Sequence, residues 1–247
     1  MRKLHSVLPM AGRGSRFAEV GITTPKPLIT VDGQPMFKKA LSSLMESDIE
    51  QQHTVILRKE HDQKYDLGSR IKTELPDANI VLTDEPPTGA LRDAYRARPY
   101  IQDDEGILIM DCDIEIKSEE YFSGIRENLV GSLAMDAAVM IFESDRPLYT
   151  YAQIDENGKV ITTAEKKVIS PYAVAGGHYI SNVEVFDKAA QTVLARPLDE
   201  QHPEHYVSYM YNEILSDGGI IRSWPGEFTS FGTPEELRAY QIGGAQH

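Results

Sequence analysis

The stretch Leu8-Pro9-Met10-Ala11-Gly12-Arg13-Gly14-Ser15-Arg16-Phe17 lies at the end of an apolar run that begins at Leu4. The run predicts a first strand. Glycines at positions 12 and 14 allow the following backbone to turn tightly, so that successive N–H groups can point at one anion. The two arginines of the stretch and Lys26 place three cations within fourteen residues of an acidic chain. This local reversal of charge suggests a polyphosphate ligand.

Strand and helix patterns alternate along the first half of the chain. Apolar runs at 54–57, 80–83 and 107–110 predict further strands, and each precedes a segment with loop and helix character. Apolar residues at helical spacing predict one helix from Phe37 to Met45 and another that contains Tyr65, Ile71 and Leu75. The alternation predicts an α/β fold with a mixed, mostly parallel sheet and helices on both faces. Ligands of such sheets bind at the carboxyl ends of strands.

The second half is predicted to begin with an antiparallel element. Runs at 151–154 and 159–163 flank Asn157-Gly158, which predicts a two-residue hairpin turn with positive φ at both positions. A strand at 174–180 and helices at 185–194, 206–215 and after Pro234 complete the prediction. We expect a single domain of residues 1–247, with a nucleotide-binding half at 1–115 and an acceptor-binding half at 116–247.

Composition excludes several classes of protein. The chain has 247 residues, 41% of them hydrophobic, which suffices for a sizeable core. Its net charge of -13 argues against nucleic-acid and anionic-membrane partners, and no apolar stretch is long enough to span a bilayer. The single cysteine, Cys112, excludes an intrachain disulfide and a multi-cysteine zinc site. We expect a cytoplasmic enzyme; the sequence does not indicate an oligomeric state, and a homo-oligomer stays open.

Two carboxylates follow the apolar run 107–110, at Asp111 and Asp113. Hard oxygen ligands that leave room for substrate phosphates are typical of Mg²⁺ sites, although a pair of solvated acids would give the same pattern. Cys112 is expected to be a small packed residue, because the flanking carboxylates disfavour a thiolate. His202 and His205 are expected in a surface loop, since no third zinc ligand stands nearby.

The glycine stretch, together with Pro25-Lys26-Pro27, resembles the signature of the sugar-phosphate nucleotidylyltransferases, also called nucleotide-sugar pyrophosphorylases. The chain is most similar to the capsule and surface-polysaccharide members of that family. The resemblance implies a Rossmann-like GT-A fold and catalytic phosphate contacts from Arg16 and Lys26. It also implies that Gly89 lets the backbone approach the base, in a segment that otherwise reads as a helix start. The implied nucleotide-binding residues are Met10, Ala11, Gly12, Arg13, Gly14, Ser15, Gly89 and Asp111.

Three downstream stretches resemble the acceptor side of the same family: 163–167 with its Glu-Lys pair, 175–179 with two glycines, and 206–213. The implied acceptor-binding residues are Glu165, Lys166, Gly177 and Tyr211. A carboxylate beside a lysine suits a hydroxylated compound that carries a phosphate. From the residues alone, a charge run on a hairpin is an equally good interpretation of the Glu-Lys pair.

The segment from Ser230 to Leu237 resembles the Gly-Thr-Pro motif before the family's last helix, and Thr233 is placed to cap that helix. In the family, the metal-binding aspartate of the 107–110 strand matches Asp113. Many members carry a second one two residues before the Gly-Thr-Pro glycine, where this chain has Ser230. We expect Asp111 to supply the missing charge, so that Mg²⁺ is held by Asp111, Asp113 and a triphosphate.

The predicted reaction joins a nucleoside triphosphate, CTP or UTP, to a sugar or polyol phosphate and releases pyrophosphate. Two other functions fit the residues. A GT-A glycosyltransferase would use the two aspartates to hold the diphosphate of a nucleotide sugar, and a catalytically silent nucleotide-sugar binding protein would explain Ser230.

Overall fold

The computed structural model describes residues 2–200 and 202–243. No helix within those ranges is both long and apolar enough to cross a membrane. The strands are β1 (Leu4–Met10), β2 (Thr30–Val31), β3 (Gln34–Pro35), β4 (Gln51–Arg58), β5 (Asn79–Thr83), β6 (Gly106–Met110), β7 (Ile114–Lys117), β8 (Ala137–Glu143), β9 (Thr150–Ile154), β10 (Val160–Glu165), β11 (Tyr172–Ile180), β12 (Ile221–Pro225) and β13 (Glu227–Ser230). The helices are α1 (Ser15–Glu19), α2 (Met36–Met45), α3 (Lys59–Tyr65), α4 (Leu67–Glu74), α5 (Ala90–Tyr95), α6 (Glu119–Leu129), α7 (Val183–Leu194), α8 (Tyr209–Ser216) and α9 (Pro234–Gln241).

The central sheet has the strand order β10-β9-β11-β6-β1-β4-β5, and β8 joins it by pairing with β11 and β12. β1 is parallel to β4 and β6, and β4 is parallel to β5. β11 runs antiparallel to β6, so the sheet continues without a break from the first half of the chain into the second. This architecture confirms the predicted α/β fold with a mixed sheet.

Helices cover both faces of the sheet, and each face has its own core. On one face, Leu41 of α2 and Phe122 of α6 belong to a cluster of buried side chains. On the other face, Leu91 of α5 and Phe186 of α7 belong to a second cluster. A third cluster contains Phe17, at the end of the glycine stretch, and Phe231, just before α9. Burial of Phe17 in this cluster holds the end of the stretch in place.

Two predicted helices differ from the structure. The helix with Tyr65, Ile71 and Leu75 is divided at Asp66, whose φ of 51° is in the left-handed region and ends α3 before α4 begins. The side chain of Tyr65 leaves the apolar stripe and donates a hydrogen bond of 2.8 Å to the carbonyl oxygen of Thr23. The predicted helix at 206–215 begins at Tyr209, so residues 206–208 lie in the preceding loop.

The hairpin of β9 and β10 is present, but the predicted turn type is wrong. The connection is longer than two residues, and Gly158 alone of the predicted pair has positive φ, at 73°. Asp155 explains the difference, because its side chain accepts hydrogen bonds from the N–H groups of Asn157 and Lys159 at 2.8 and 2.9 Å. This side-chain turn replaces the tight turn that the Asn-Gly pair predicts.

Candidate active site

Two cavities meet at the carboxyl end of β6. The first, of about 410 Å³, is bordered by the glycine stretch and Lys26. The second, of about 220 Å³, is bordered by Glu165 and the loop before α8. Asp111 and Asp113 line both cavities. The predicted acids therefore stand at the junction of two binding spaces.

The glycine stretch offers unpaired donors to the first cavity. Gly14 has a φ of 66°, which the turn into α1 requires. The backbone N–H groups of residues 12–14 donate to no other group in the described part of the chain. Arg16 lines the cavity and is exposed, and neither it nor Arg13 forms an ion pair with any described residue. Such donors can bind several phosphate oxygens.

The other predicted nucleotide contacts lie at or behind this wall. Met10, Gly12, Gly14 and Ser15 line the first cavity, whereas Arg13 does not. Ala11 is buried, and its carbonyl oxygen accepts a hydrogen bond of 3.1 Å from Nε of Arg58, at the end of β4. Arg58 thus fixes the start of the stretch.

Lys26 forms an ion pair that connects the segment after the glycine stretch to the end of β6. Its ammonium group donates a hydrogen bond to Oδ2 of Asp113 in a half-buried ion pair. Burial lowers the pKa of Lys26, but the nearby carboxylates, Asp113 foremost, outweigh that effect and leave the pKa raised. Lys26 is therefore a fixed positive charge at the junction, within the cavity that holds Arg16.

The two acids provide a donor set that fits a hard divalent cation. Burial raises the pKa of Asp111 to about 7, and the carboxylate of Asp113 adds to this shift. A cation that both acids contact would relieve their repulsion. Among residues 2–200 and 202–243, no cluster of three or more acids, histidines or cysteines is arranged to enclose a metal. The residues therefore fit Mg²⁺ when other oxygen ligands, such as phosphate oxygens, complete its shell.

Cys112 is a packed side chain, as the sequence predicts. It is buried between the two acids, and burial first, then the charge of Asp113, raises the pKa of its thiol to about 12. A thiol with this pKa is neutral at physiological pH. Neither nucleophilic attack nor metal ligation by a thiolate suits this position.

Gly89 lies just before α5, in a segment whose backbone is hydrogen-bonded to that of His205. The N–H of His205 donates to the carbonyl oxygen of Thr88 at 2.8 Å, and the N–H of Leu91 donates to the carbonyl oxygen of His205 at 3.0 Å. A Cβ atom on Gly89 would stand 2.5 Å from the backbone of His205. Gly89 itself does not line either cavity, but Ala90 lines both.

His205 corrects one prediction from the sequence. The histidine was expected in a surface loop, but it is buried, and its Nε2 lies 3.1 Å from the carbonyl oxygen of Arg196. His202 is half-buried. The burial of His205 follows from its backbone contacts with residues 88–91, which are distant in sequence.

The second cavity carries the Glu-Lys pair at its edge. Oε2 of Glu165 accepts hydrogen bonds from the hydroxyl groups of Thr150 and Ser208, the latter at 2.7 Å. Lys166 has a φ of 53°, is exposed, and donates to the hydroxyl group of Tyr206 at 2.5 Å. Glu165 lines the cavity, while Lys166 reaches its rim through Tyr206. No lysine or arginine of the described residues lines this cavity, so it suits neutral hydroxyl groups.

Two predicted acceptor residues lie behind the cavity surface. Gly177 faces Ile116 and Met110 on the opposite side of β11, and its neighbour Gly176 lines the cavity. Tyr211 is fully buried and donates a hydrogen bond to Nδ1 of His178, which does line the cavity. Burial lowers the pKa of His178 to about 4, so the ring is neutral and can accept this bond. Tyr211 therefore positions His178 and does not border the open space.

Three residues at the junction were not named as site residues from the sequence, although Gly176 belongs to the 175–179 stretch expected on the acceptor side. Gly176 leaves room for Asp111, since a Cβ atom there would stand 2.2 Å from Oδ2 of that acid. Glu204 lines the first cavity, and Oε2 of Glu236, in α9, accepts a hydrogen bond of 2.9 Å from Ser230, which lines the second. The paired glycines of β11 gave a signal for Gly176, whereas the two glutamates carry no local pattern that distinguishes them.

A family model described as nucleotidyl transferase matches residues 6–216, which is most of the chain. The chain belongs to this nucleotidyl transferase family. The match contains the glycine stretch, Lys26, both junction acids and the Glu-Lys pair.

Solved structures of several nucleotidyl transferases have the same fold. A nucleoside-diphosphate-sugar pyrophosphorylase from Vibrio cholerae RC9 is 22% identical, with a TM-score of 0.80, over 96% of this chain and 99% of that one. A candidate glucose-1-phosphate thymidylyltransferase from Bacillus anthracis, crystallised with sucrose, is 21% identical, with a TM-score of 0.78, over 99% and 96% of the two chains. The inositol-1-phosphate CTP transferase from T. maritima is 14% identical, with a TM-score of 0.73, over 100% and 99%. The chain thus spans nearly the full length of each of these structures.

Replacement of Gly89 by alanine should cost more stability than the same change at Gly21. Both glycines have positive φ, but no atom lies within 4 Å of a Cβ on Gly21. We expect Gly21→Ala to lower the free energy of unfolding by about 1 kcal/mol and Gly89→Ala by about 3 kcal/mol or more. Urea denaturation of both variants measures the difference. Equal losses would show that the contact with His205 does not constrain Gly89.

Proposed function

We propose that this chain catalyses nucleotidylyl transfer from a nucleoside triphosphate to a small phosphorylated acceptor, with release of pyrophosphate. The observation that carries the proposal is the junction of the two cavities at Asp111 and Asp113. Arg16 and Lys26 border the cavity on one side of the junction, and Glu165 borders the other. A triphosphate suits the cationic cavity, and a hydroxylated acceptor suits the second one.

In this reaction an oxygen of the acceptor phosphate attacks the α-phosphorus, and pyrophosphate leaves. The acceptor phosphate is already ionised, so no general base is needed. Catalysis then depends on bringing two anions together and on stabilising the charge of the transition state. The free N–H groups of residues 12–14, together with Arg16 and Lys26, can hold the triphosphate from one side.

Asp113 and Asp111, with oxygens of the triphosphate, would hold Mg²⁺ at the junction. When bound, the ion supplies positive charge beside the phosphates. The two aspartates orient that charge, and Gly176 gives Asp111 the room that it needs. Both acids line the nucleotide and the acceptor cavity, which suits a role at the point where the substrates meet.

We assign the acceptor to the sugar and polyol phosphates. Oε2 of Glu165 is fixed by Thr150 and Ser208, so its second oxygen can accept from an acceptor hydroxyl group. Lys166 on Tyr206 can turn its ammonium group toward the acceptor phosphate. The named activities of the similar structures, on nucleotide sugars, glucose 1-phosphate and inositol 1-phosphate, are in keeping with this assignment.

We place CTP slightly ahead of UTP as the nucleotide. The resemblance to surface-polysaccharide enzymes supports a pyrimidine nucleotide, and the T. maritima structure is that of a CTP transferase that acts on a polyol phosphate. The product would then be a precursor for surface polysaccharide, made in the cytoplasm, where nucleoside triphosphates are supplied.

Removal of the Lys26 charge should slow the chemical step. We expect Lys26→Ala to lower kcat about 100-fold or more, because a charge that neutralises the developing transition state is lost. The KM for the nucleotide should change much less. Lys38→Ala is the matched control, since Lys38 pairs with Glu74 on the exposed face of α2. Steady-state pyrophosphate release measures both variants, and an unchanged kcat in Lys26→Ala would refute the role.

Both junction acids should contribute when Mg²⁺ supports turnover, Asp113 more strongly than Asp111. We expect Asp113→Asn to abolish detectable release and Asp111→Asn to raise the Mg²⁺ concentration at half-maximal rate about tenfold. Magnesium titrations of the initial rate separate the two effects. Full activity of Asp111→Asn at every Mg²⁺ concentration, with loss in Asp113→Asn, would contradict the idea that Asp111 compensates for Ser230.

A further inference from the structure

A buried arginine lies behind the start of the glycine stretch. Arg58 is the last residue of β4, the parallel neighbour of β1, and only 7% of its surface is exposed. Its Nε donates a hydrogen bond of 3.1 Å to the carbonyl oxygen of Ala11, the first residue after β1. Ala11 is buried as well. This bond therefore joins two neighbouring strands at the ends from which the first cavity is built.

The same bond sets the direction of the N–H group of Gly12. In a trans peptide unit the C=O and N–H groups point in opposite directions, and the described residues contain no cis peptide bond. Because the carbonyl group of Ala11 is directed at Arg58, the N–H of Gly12, in the same peptide unit, is directed away from Arg58. Gly12 lines the first cavity, and its N–H donates to no described group. The contact thus leaves one backbone donor oriented and unpaired.

The positive charge of Arg58 has no counter-ion within residues 2–200 and 202–243. Its Nη2 is buried and has no hydrogen-bond partner there. Burial raises the pKa of Asp93, in α5, and the charges of Arg96 and, to a smaller extent, Arg58 oppose that rise. Asp93 nevertheless forms its ion pair with Arg96, at 3.5 Å. A buried charge without a partner lowers stability, and a bound anion nearby would reduce that cost.

We propose that Arg58 is a positioning residue for a triphosphate in the first cavity. It directs the N–H of Gly12 toward the phosphates and places a positive charge behind the glycine stretch. Arg58 does not line the cavity, in contrast to Arg16 and Lys26, so it acts through the peptide unit of Ala11 and Gly12 and through its electric field. A buried charge is screened by salt much less than an exposed one. The inference rests on the proposed function only in placing a polyphosphate in this cavity.

Binding of inorganic tripolyphosphate to the full chain without Mg²⁺ tests the proposal independently of turnover. Isothermal titration calorimetry measures the dissociation constant for wild type and for variants of Arg58. We expect Arg58→Met to raise this constant about tenfold, because the oriented N–H and the positive charge are both lost. Arg58→Lys keeps a cation that can donate to the same carbonyl oxygen, and its affinity should stay within about threefold of wild type.

Arg126→Met is the matched control. Nη1 of Arg126, in α6, donates a hydrogen bond of 2.8 Å to the carbonyl oxygen of Ser47, so this side chain also holds a backbone carbonyl group. Arg126 lines neither cavity. Its replacement should leave the tripolyphosphate affinity equal to that of wild type. A weakening as large as that of Arg58→Met would show that the effect is not specific to the glycine stretch and would overturn the proposal.

Thermal unfolding separates the positioning role from a purely structural one. A structural role predicts that Arg58→Met loses stability and affinity together. We expect instead that its unfolding midpoint lies at or above that of Arg126→Met, because methionine removes a buried unpaired charge and keeps much of the side-chain volume. A midpoint below that of Arg126→Met, unchanged affinity in Arg58→Met, affinity of Arg58→Lys no better than that of Arg58→Met, or no tripolyphosphate binding by wild type would each overturn the proposal.

The same proteins distinguish this proposal from the proposed function. Wild type that binds tripolyphosphate with the help of Arg58 but releases no pyrophosphate with any nucleotide would refute the transferase and leave the positioning role intact. Pyrophosphate release by wild type, with tripolyphosphate affinity independent of Arg58, would refute the positioning role alone.

Discussion

The ion pair between Lys26 and Asp113 connects the segment that follows the glycine stretch to the acids at the end of β6. Asp113 follows β6, which is buried along its whole length between β1 and β11. A buried strand at the centre of the sheet fixes the place of the acids at its carboxyl end. Lys26 is aimed at that place by a short helical turn that begins after Pro25. Both cavities are defined relative to this fixed point.

Other segments of the chain support the borders of the two cavities that meet at Asp113. Phe17 and Phe231 belong to one buried cluster, so the C-terminal segment supports the glycine stretch that borders the first cavity. The backbone of His205 is hydrogen-bonded to that of Thr88 and Leu91, and Tyr206 and Ser208, which follow it, line the second cavity. This loop borders both cavities, because Glu204 lines the first and Tyr206 and Ser208 line the second.

The fold and the general position of the site could be predicted from the sequence, because they depend on local patterns. Continuous apolar runs predict β1 and β6, and strands of this kind of sheet present their ligands at carboxyl ends. The two-residue turn predicted from Asn157-Gly158 was wrong because the side chain of Asp155, two residues before Asn157, stabilises a longer turn. The choice between Gly176 and Gly177 depends on which face of β11 each residue occupies. The register of β11 with β8 shifts between Val174 and His178, so simple alternation could not decide it.

Contacts between distant segments could not be predicted in this way. Nothing near His205 in the sequence indicates that residues 88–91 bury it. Likewise, the ion pair of Lys26 with Asp113 joins side chains that are 87 positions apart in the sequence.

Pyrophosphate release with Mg²⁺ tests the central claim most directly. The wild-type chain is challenged with CTP, UTP, dTTP, GTP and ATP, each combined with a panel of sugar, polyol and amino-alcohol phosphates. The account predicts release that requires one nucleotide together with one phosphorylated acceptor, with CTP or UTP preferred. Absence of release in every combination, with tight binding of a nucleotide sugar, would contradict it and favour a glycosyltransferase or a silent binding protein of the same fold.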